Sequence, residues 1–128
     1  QQNIGDWSSY INEWKNAFKD ELLILQYENM KNNSFHEFKK LVSYLNWEYS
    51  DEEIQTAIQN TSFNKLKKIE EKKGFKERPK KSDQFFRKGK SGEWKNEITE
   101  EQAQFLVNRH YTTLLEFGYI SKDGEILV

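Results

Sequence analysis

Leu22-Leu23-Ile24-Leu25-Gln26-Tyr27 is an apolar run of strand length that lies between two stretches of helical spacing and lacks the polar alternation of a half-buried strand. Such a run reads as a strand buried on both faces of a parallel sheet. Apart from a terminal turn, every other pattern in the 128 residues is helical or irregular. One strand cannot be a sheet. The run therefore predicts either pairing with strands supplied from outside these residues or a place within a helix, and the expected class is α/β, mostly helical, with one parallel strand.

Upstream of the run, Trp7, Tyr10, Ile11, Trp14 and Phe18 recur three, four and seven apart and predict one face of a first helix. Downstream, Phe35, Phe38, Leu41, Val42 and Leu45 mark a second, with Ser34 as its N-cap and His36 off the stripe. Ser50 followed by Glu53 has the capping-box pattern and opens a third helix whose apolar face is Ile54, Ala57 and Ile58. A short helix follows Thr61-Ser62-Phe63, runs through Leu66 and Ile69, and is ended by Gly74. Residues 74–86 are charged, hold the only proline, Pro79, and show no period, which predicts a mobile loop. Thr99 with Gln102 repeats the capping box before a helix that carries Ala103, Leu106, Val107, His110, Tyr111, Leu114 and Leu115 on one face and stops at Gly118. Asp123-Gly124 then predicts a hairpin turn or a frayed tail.

Hydrophobic residues make up only 35 % of the chain and charged residues 32 %. That balance leans toward poor burial, but four Trp, six Tyr and nine Phe supply large apolar areas. At about 1.5–3 kcal/mol for each side chain buried, they predict a globular chain, one domain or a piece of one. The absence of cysteine excludes a disulfide framework and thiolate metal sites, so no metal is expected and a reducing cytoplasm is the default compartment. The longest apolar run, Leu22 to Leu25, is far too short to span a bilayer and no leader precedes it, so no membrane partner is expected.

The net charge of −1 conceals a segregation. Residues 64–95 hold thirteen Lys and Arg against five Asp and Glu, a balance of +8 that leaves −9 on the remainder. A solvated lysine-rich surface is one explanation, and an anionic ligand such as a phosphate or nucleic acid is the other. Phe63, Phe75, Phe85, Phe86 and Trp94 interleave with the cations, so a nucleic-acid-binding module that neutralises backbone and stacks bases is an alternative reading.

The stretch richest in chemistry is Phe85-Phe86-Arg87-Lys88-Gly89-Lys90-Ser91-Gly92-Glu93-Trp94-Lys95-Asn96. Its two glycines, three apart, let backbone N–H groups approach an anion, while Arg offers a planar fork and Lys a point charge. On these residues alone a phosphate-binding loop and a solvated basic turn are both open. Arg87-Lys88-Gly89-x-x-Gly92-Glu93-Trp94-Lys95-Asn96-x-x-Thr99 resembles the C-terminal signature of the sulfotransferase family, usually Arg-Lys-Gly-x-x-Gly-Asp-Trp-Lys-Asn-x-Phe-Thr. Leu25-Gln26-Tyr27-Glu28-Asn29-Met30 is similar to the family's strand ending in Tyr-Glu-Asp-Met, and Thr61-Ser62-Phe63 matches its Thr-Ser-Phe. The likeness covers about residues 5–119, so that residues 1–128 are read as the C-terminal part of a single sulfotransferase domain.

The resemblance implies a P-loop-NTPase-like fold and transfer of a sulfonate from 3'-phosphoadenylyl sulfate to a hydroxyl or amine acceptor. It implies that Arg87, Lys88 and Gly89 hold the donor's 3'-phosphate. Tyr27, Thr61, Ser62 and Phe63 would sit around the adenine, Leu66 would add an apolar contact, and residues 69–86 would cover the acceptor pocket. A small molecule or carbohydrate is the implied acceptor, and nucleic acid is then not the expected partner. The bland readings are packing for Tyr27 and Phe63 and a structural role for Trp94.

In this family the 5'-phosphosulfate loop and the catalytic His lie upstream of the matched region. No such loop is visible here, and His36 and His110 fall at positions the family does not use, so no catalytic residue is assigned. A missing N-terminal half of the domain is the expected partner. The family's dimer segment commonly reads Lys-x-x-x-Thr-Val-x-x-x-Glu. Lys95 and Thr99 fit it but Glu100 and Gln104 do not, which leaves homodimerisation open.

Overall fold

The computed structural model describes residues 5–128, which form six α-helices: α1 (Trp7–Phe18), α2 (Tyr27–Asn32), α3 (Ser34–Tyr44), α4 (Asp51–Asn60), α5 (Phe63–Lys73) and α6 (Glu100–Glu116). Short 3-10 turns occupy Lys19–Glu21 and Glu93–Asn96. The chain divides into two compact units, one of residues 5–22 with 92–128 and one of residues 23–91. Among the described residues no helix is long and apolar enough to cross a membrane.

The helix starts follow local chemistry. Asp6 caps α1 by accepting from the Ser9 N–H, and both expected capping boxes form, Ser50 with Glu53 before α4 and Thr99 with Gln102 before α6. At α3 the cap is Asn33, whose Oδ1 accepts from the His36 N–H, rather than the expected Ser34, which is the first helical residue.

In the first unit, α1 packs on α6 through Trp7. Its indole lies edge-on to His110, with ring centroids 5.6 Å apart, and also meets Phe117 and Tyr119. His110 is buried, as its stripe predicts, and its Nδ1 lies 2.7 Å from the Ser8 hydroxyl. Asp6–Arg109 and Lys15–Glu116 ion pairs join the same helices. The tail folds back as a hairpin with an Ile120–Ile126 bridge, and Ile120 is the most buried apolar residue described. In the second unit, α3 packs against both α2 and α4, and Ile54 of α4 is buried.

Two expectations fail. The run from Leu22 to Tyr27 is not a strand. Among the described residues the sole β-type pairing is the tail bridge. Residues 22–26 are half-buried without regular structure, with extended backbone at Leu22 and Gln26, and Tyr27 already begins α2. An extended segment becomes a strand only when a neighbour accepts its backbone hydrogen bonds, and nothing in these units pairs with it. Nor do the aromatics build the core. Among the described residues the buried apolar ones are Ile54, Ala103, Val107 and Ile120, whereas Tyr10, Trp14 and Phe18 stand on an exposed face of α1 with the Trp14 and Phe18 rings stacked 5.0 Å apart.

Candidate functional site

All eight residues singled out as donor-binding lie in the unit of residues 23–91. The structure brings some of them together around Phe63. That residue opens α5 after a two-residue link from α4, in which the Thr61 hydroxyl donates to the Ala57 carbonyl at 2.8 Å and Ser62 is the N-cap residue without a side-chain capping bond. So short a link fixes where the half-buried Phe63 ring emerges. Leu66, one turn on, is also half-buried.

The Phe63 ring packs directly on Gly89. A Cβ added at Gly89 would fall 2.3 Å from Cδ2 of Phe63, and Gly89 has φ +61°, a left-handed conformation that favours glycine. The glycine between the cations is thus required here by the ring. The Lys31 ammonium lies 5.9 Å from the Phe63 centroid, near the outer limit of a cation–π contact. Lys31 sits one turn after Tyr27 on α2, which aligns the two on one helix face. Tyr27, Thr61 and Ser62 are themselves exposed.

Between Phe63 and the basic segment runs a second connection that sequence reasoning missed. Glu70, two turns along α5 from Phe63, is only 5 % exposed. Its Oε1 accepts from the Phe85 N–H at 2.7 Å and its Oε2 from the Phe86 N–H at 3.0 Å. Burial pushes the Glu70 carboxyl up, but the two backbone N–H groups, with the charges of Arg78 and Lys67, outweigh it and hold the group below the usual carboxylate range. Phe75, Phe85 and Phe86 pack ring on ring at 4.6–5.2 Å, and Phe86 lies edge-on to Phe63 at 6.0 Å.

These contacts close the base of the charged segment, which as expected carries no regular structure, and within it the Arg78 guanidinium donates to the Asp83 carbonyl at 2.9 Å. The Arg87 and Lys88 side chains stand exposed beside the closed base. Two adjacent cations next to a half-buried ring suit an anion attached to a flat heterocycle. His36 is exposed on α3 and His110 is engaged with Ser8 and Trp7.

The basic turn at Arg87-Lys88-Gly89 packs on an aromatic ring, and comparison with known proteins gives the family. The sulfotransferase domain family matches residues 1–116, and the chain belongs to it. It is 33 % identical to cytosolic sulfotransferase 16 of Arabidopsis thaliana across 94 % of this chain and 37 % of that protein. It is 33 % identical to flavonol 3-sulfotransferase of Flaveria bidentis across 77 % of this chain and 35 % of that protein. Sulfotransferase 1A1 of Mus musculus is 30 % identical across 88 % of this chain and 40 % of its own length. The chain thus spans little more than a third of the curated relatives it matches. No solved structure matches it significantly.

Proposed function

We propose that this chain is the C-terminal portion of a P-loop-like sulfotransferase domain and forms the adenine and 3'-phosphate side of the site for 3'-phosphoadenylyl sulfate. The whole enzyme transfers the donor's sulfonate to a hydroxyl or amine of a small-molecule acceptor. The observation that carries the reading is the Phe63–Gly89 contact, which sets an aromatic ring and the Arg87-Lys88 pair side by side within one compact unit.

In this reading Arg87 offers a planar fork and Lys88 a point charge to the 3'-phosphate, while Gly89 keeps the turn against Phe63. Phe63 and Leu66 supply apolar contact to the adenine, and Tyr27, Thr61 and Ser62 line its surroundings. Of residues 69–86, the first five belong to α5, and residues 74–86 form a cover over the acceptor pocket whose base is closed by the Phe75–Phe85 contact.

The reaction is an in-line displacement. A base removes the acceptor's proton, the acceptor oxygen or nitrogen bonds to sulfur, and the bond from sulfur to the 5'-phosphate oxygen breaks, leaving adenosine 3',5'-bisphosphate. The residues of this chain hold the departing nucleotide. The base and the group that binds the phosphosulfate are assigned to the remainder of the family domain, the partner that we propose for the exposed aromatic face of α1. A cytoplasmic setting fits this donor chemistry. The nucleic-acid reading has less to stand on, because the family whose model matches and the relatives the chain resembles are sulfotransferases.

The test is transfer of labelled sulfonate from the donor to a panel of phenols, alcohols and amines by the full-length protein. Transfer to at least one acceptor that falls at least tenfold in Arg87→Ala is expected. Absence of transfer to every acceptor, with the protein folded, contradicts the proposal.

A further inference from the structure

We infer that Glu70 is a positioning residue for the 3'-phosphate site, its carboxylate orienting the peptide from which the Arg87-Lys88-Gly89 turn departs. This rests on the donor-site reading above.

A carboxylate in a protein interior is ordinarily matched by a cation. The Glu70 oxygens feel the charges of Arg78 and Lys67 but accept their hydrogen bonds from two consecutive backbone N–H groups, of Phe85 and Phe86. The second of these belongs to the peptide unit whose carbonyl is that of Phe85, and that carbonyl accepts from the Arg87 N–H at 3.1 Å. One peptide plane is therefore held on both edges, by Glu70 on its N–H side and by Arg87 on its carbonyl side. Since the backbone has only two soft torsions per residue, fixing this plane constrains the direction in which Arg87 leaves.

The second anchor is on the same helix. Phe63 and Glu70 are seven residues apart on α5, about 10 Å along its axis, a distance comparable to the reach of the three residues that lead from Phe86 to Gly89. Phe63 meets Gly89 and Glu70 meets Phe85 and Phe86, so Arg87 and Lys88 lie on a short bridge between two points of one helix. Exposed cations gain specificity for a phosphate only when their backbone is held, because otherwise binding must also order the loop. Glu71, its neighbour, is exposed and faces away from this stripe.

The experiment compares wild type, Glu70→Gln, Glu70→Asp and Glu71→Gln in the full-length protein. Affinities for adenosine 3',5'-bisphosphate and for AMP are measured, together with hydrogen exchange at the Phe85 and Phe86 amides without nucleotide. Glu70→Gln is expected to speed exchange at these amides and to weaken bisphosphate binding about tenfold while changing AMP binding less than about twofold. Glu70→Asp, which keeps the charge but withdraws the oxygens, shows a smaller loss in the same ratio and stands in if the Gln variant does not fold. Glu71→Gln, with the same loss of charge, changes neither quantity. Unchanged bisphosphate-to-AMP selectivity in the Glu70 variants overturns the positioning role while leaving the donor site intact. Equal affinity of wild type for the two nucleotides overturns the donor-site reading, and this inference with it.

Discussion

The ring of Phe63 occupies the space that a side chain at residue 89 would need: a Cβ there meets Phe63 Cδ2 at 2.3 Å and Cε2 at 2.4 Å. Replacing Gly89 by Ala therefore meets two penalties. The left-handed backbone costs about 1–2 kcal/mol for a residue with a Cβ, and displacing the ring adds about 1–3 kcal/mol. Urea unfolding of Gly89→Ala is expected to show a loss of about 2–5 kcal/mol, and in a Phe63→Ala background the further loss shrinks to the backbone part alone. Equal losses in both backgrounds would mean that the ring is not what meets the new methyl.

Glu70 gives the fold an acid-sensitive joint. Its folded-state pKa is held below the ordinary glutamate value, so the native state favours the ionised form more than the unfolded chain does. The contribution is complete above the unfolded pKa, about 4.3, and is lost as pH falls through the lower folded value. Asp6 and Glu53, both held low by N-terminal hydrogen bonds to Ser9 and Ser50, add slopes of the same sign. Stability measured from pH 6 down to pH 3 should thus decline in wild type and decline less steeply in Glu70→Gln. Parallel profiles would remove Glu70 from the titration.

His110 belongs to packing. Its ring is buried, lies edge-on to Trp7, and bonds to Ser8. His110→Ala should cost about 2–4 kcal/mol through the lost ring volume and an orphaned hydroxyl. The ratio of bisphosphate to AMP affinity should stay as in wild type. A changed ratio at unchanged stability would instead give His110 a part in the nucleotide site.

The legible parts of the sequence were those governed by local rules. The Ser50–Glu53 and Thr99–Gln102 boxes form where the residue types require, and His110 is buried because it falls on the α6 stripe. Leu22 to Tyr27 misled because a short apolar run has the same composition whether it is paired or not. Only a neighbouring strand decides the matter, and periodicity carries no word of neighbours.

Glu70 was hidden for another reason. The stripe was drawn through Phe63, Leu66 and Ile69, yet Ile69 is 50 % exposed and Glu70, at seven residues from Phe63, is buried. The available signal was a carboxylate at an inward position of a helix otherwise rich in lysine. What made it inward, two amide groups fifteen and sixteen residues away, is a tertiary fact. The eight residues proposed for the donor site are singled out by family likeness alone, whereas the contact between two of them, Phe63 and Gly89, is visible only in the fold.

The central claim, a site for a 3'-phosphate at Arg87-Lys88-Gly89, is tested most directly by calorimetric titration of the full-length protein and its Arg87→Ala variant with adenosine 3',5'-bisphosphate and AMP. The account predicts tighter binding of the bisphosphate by wild type and a loss of about 10–100-fold in that preference when the guanidinium is removed. Equal affinity of folded wild type for both nucleotides, or a preference that survives in Arg87→Ala, would contradict it.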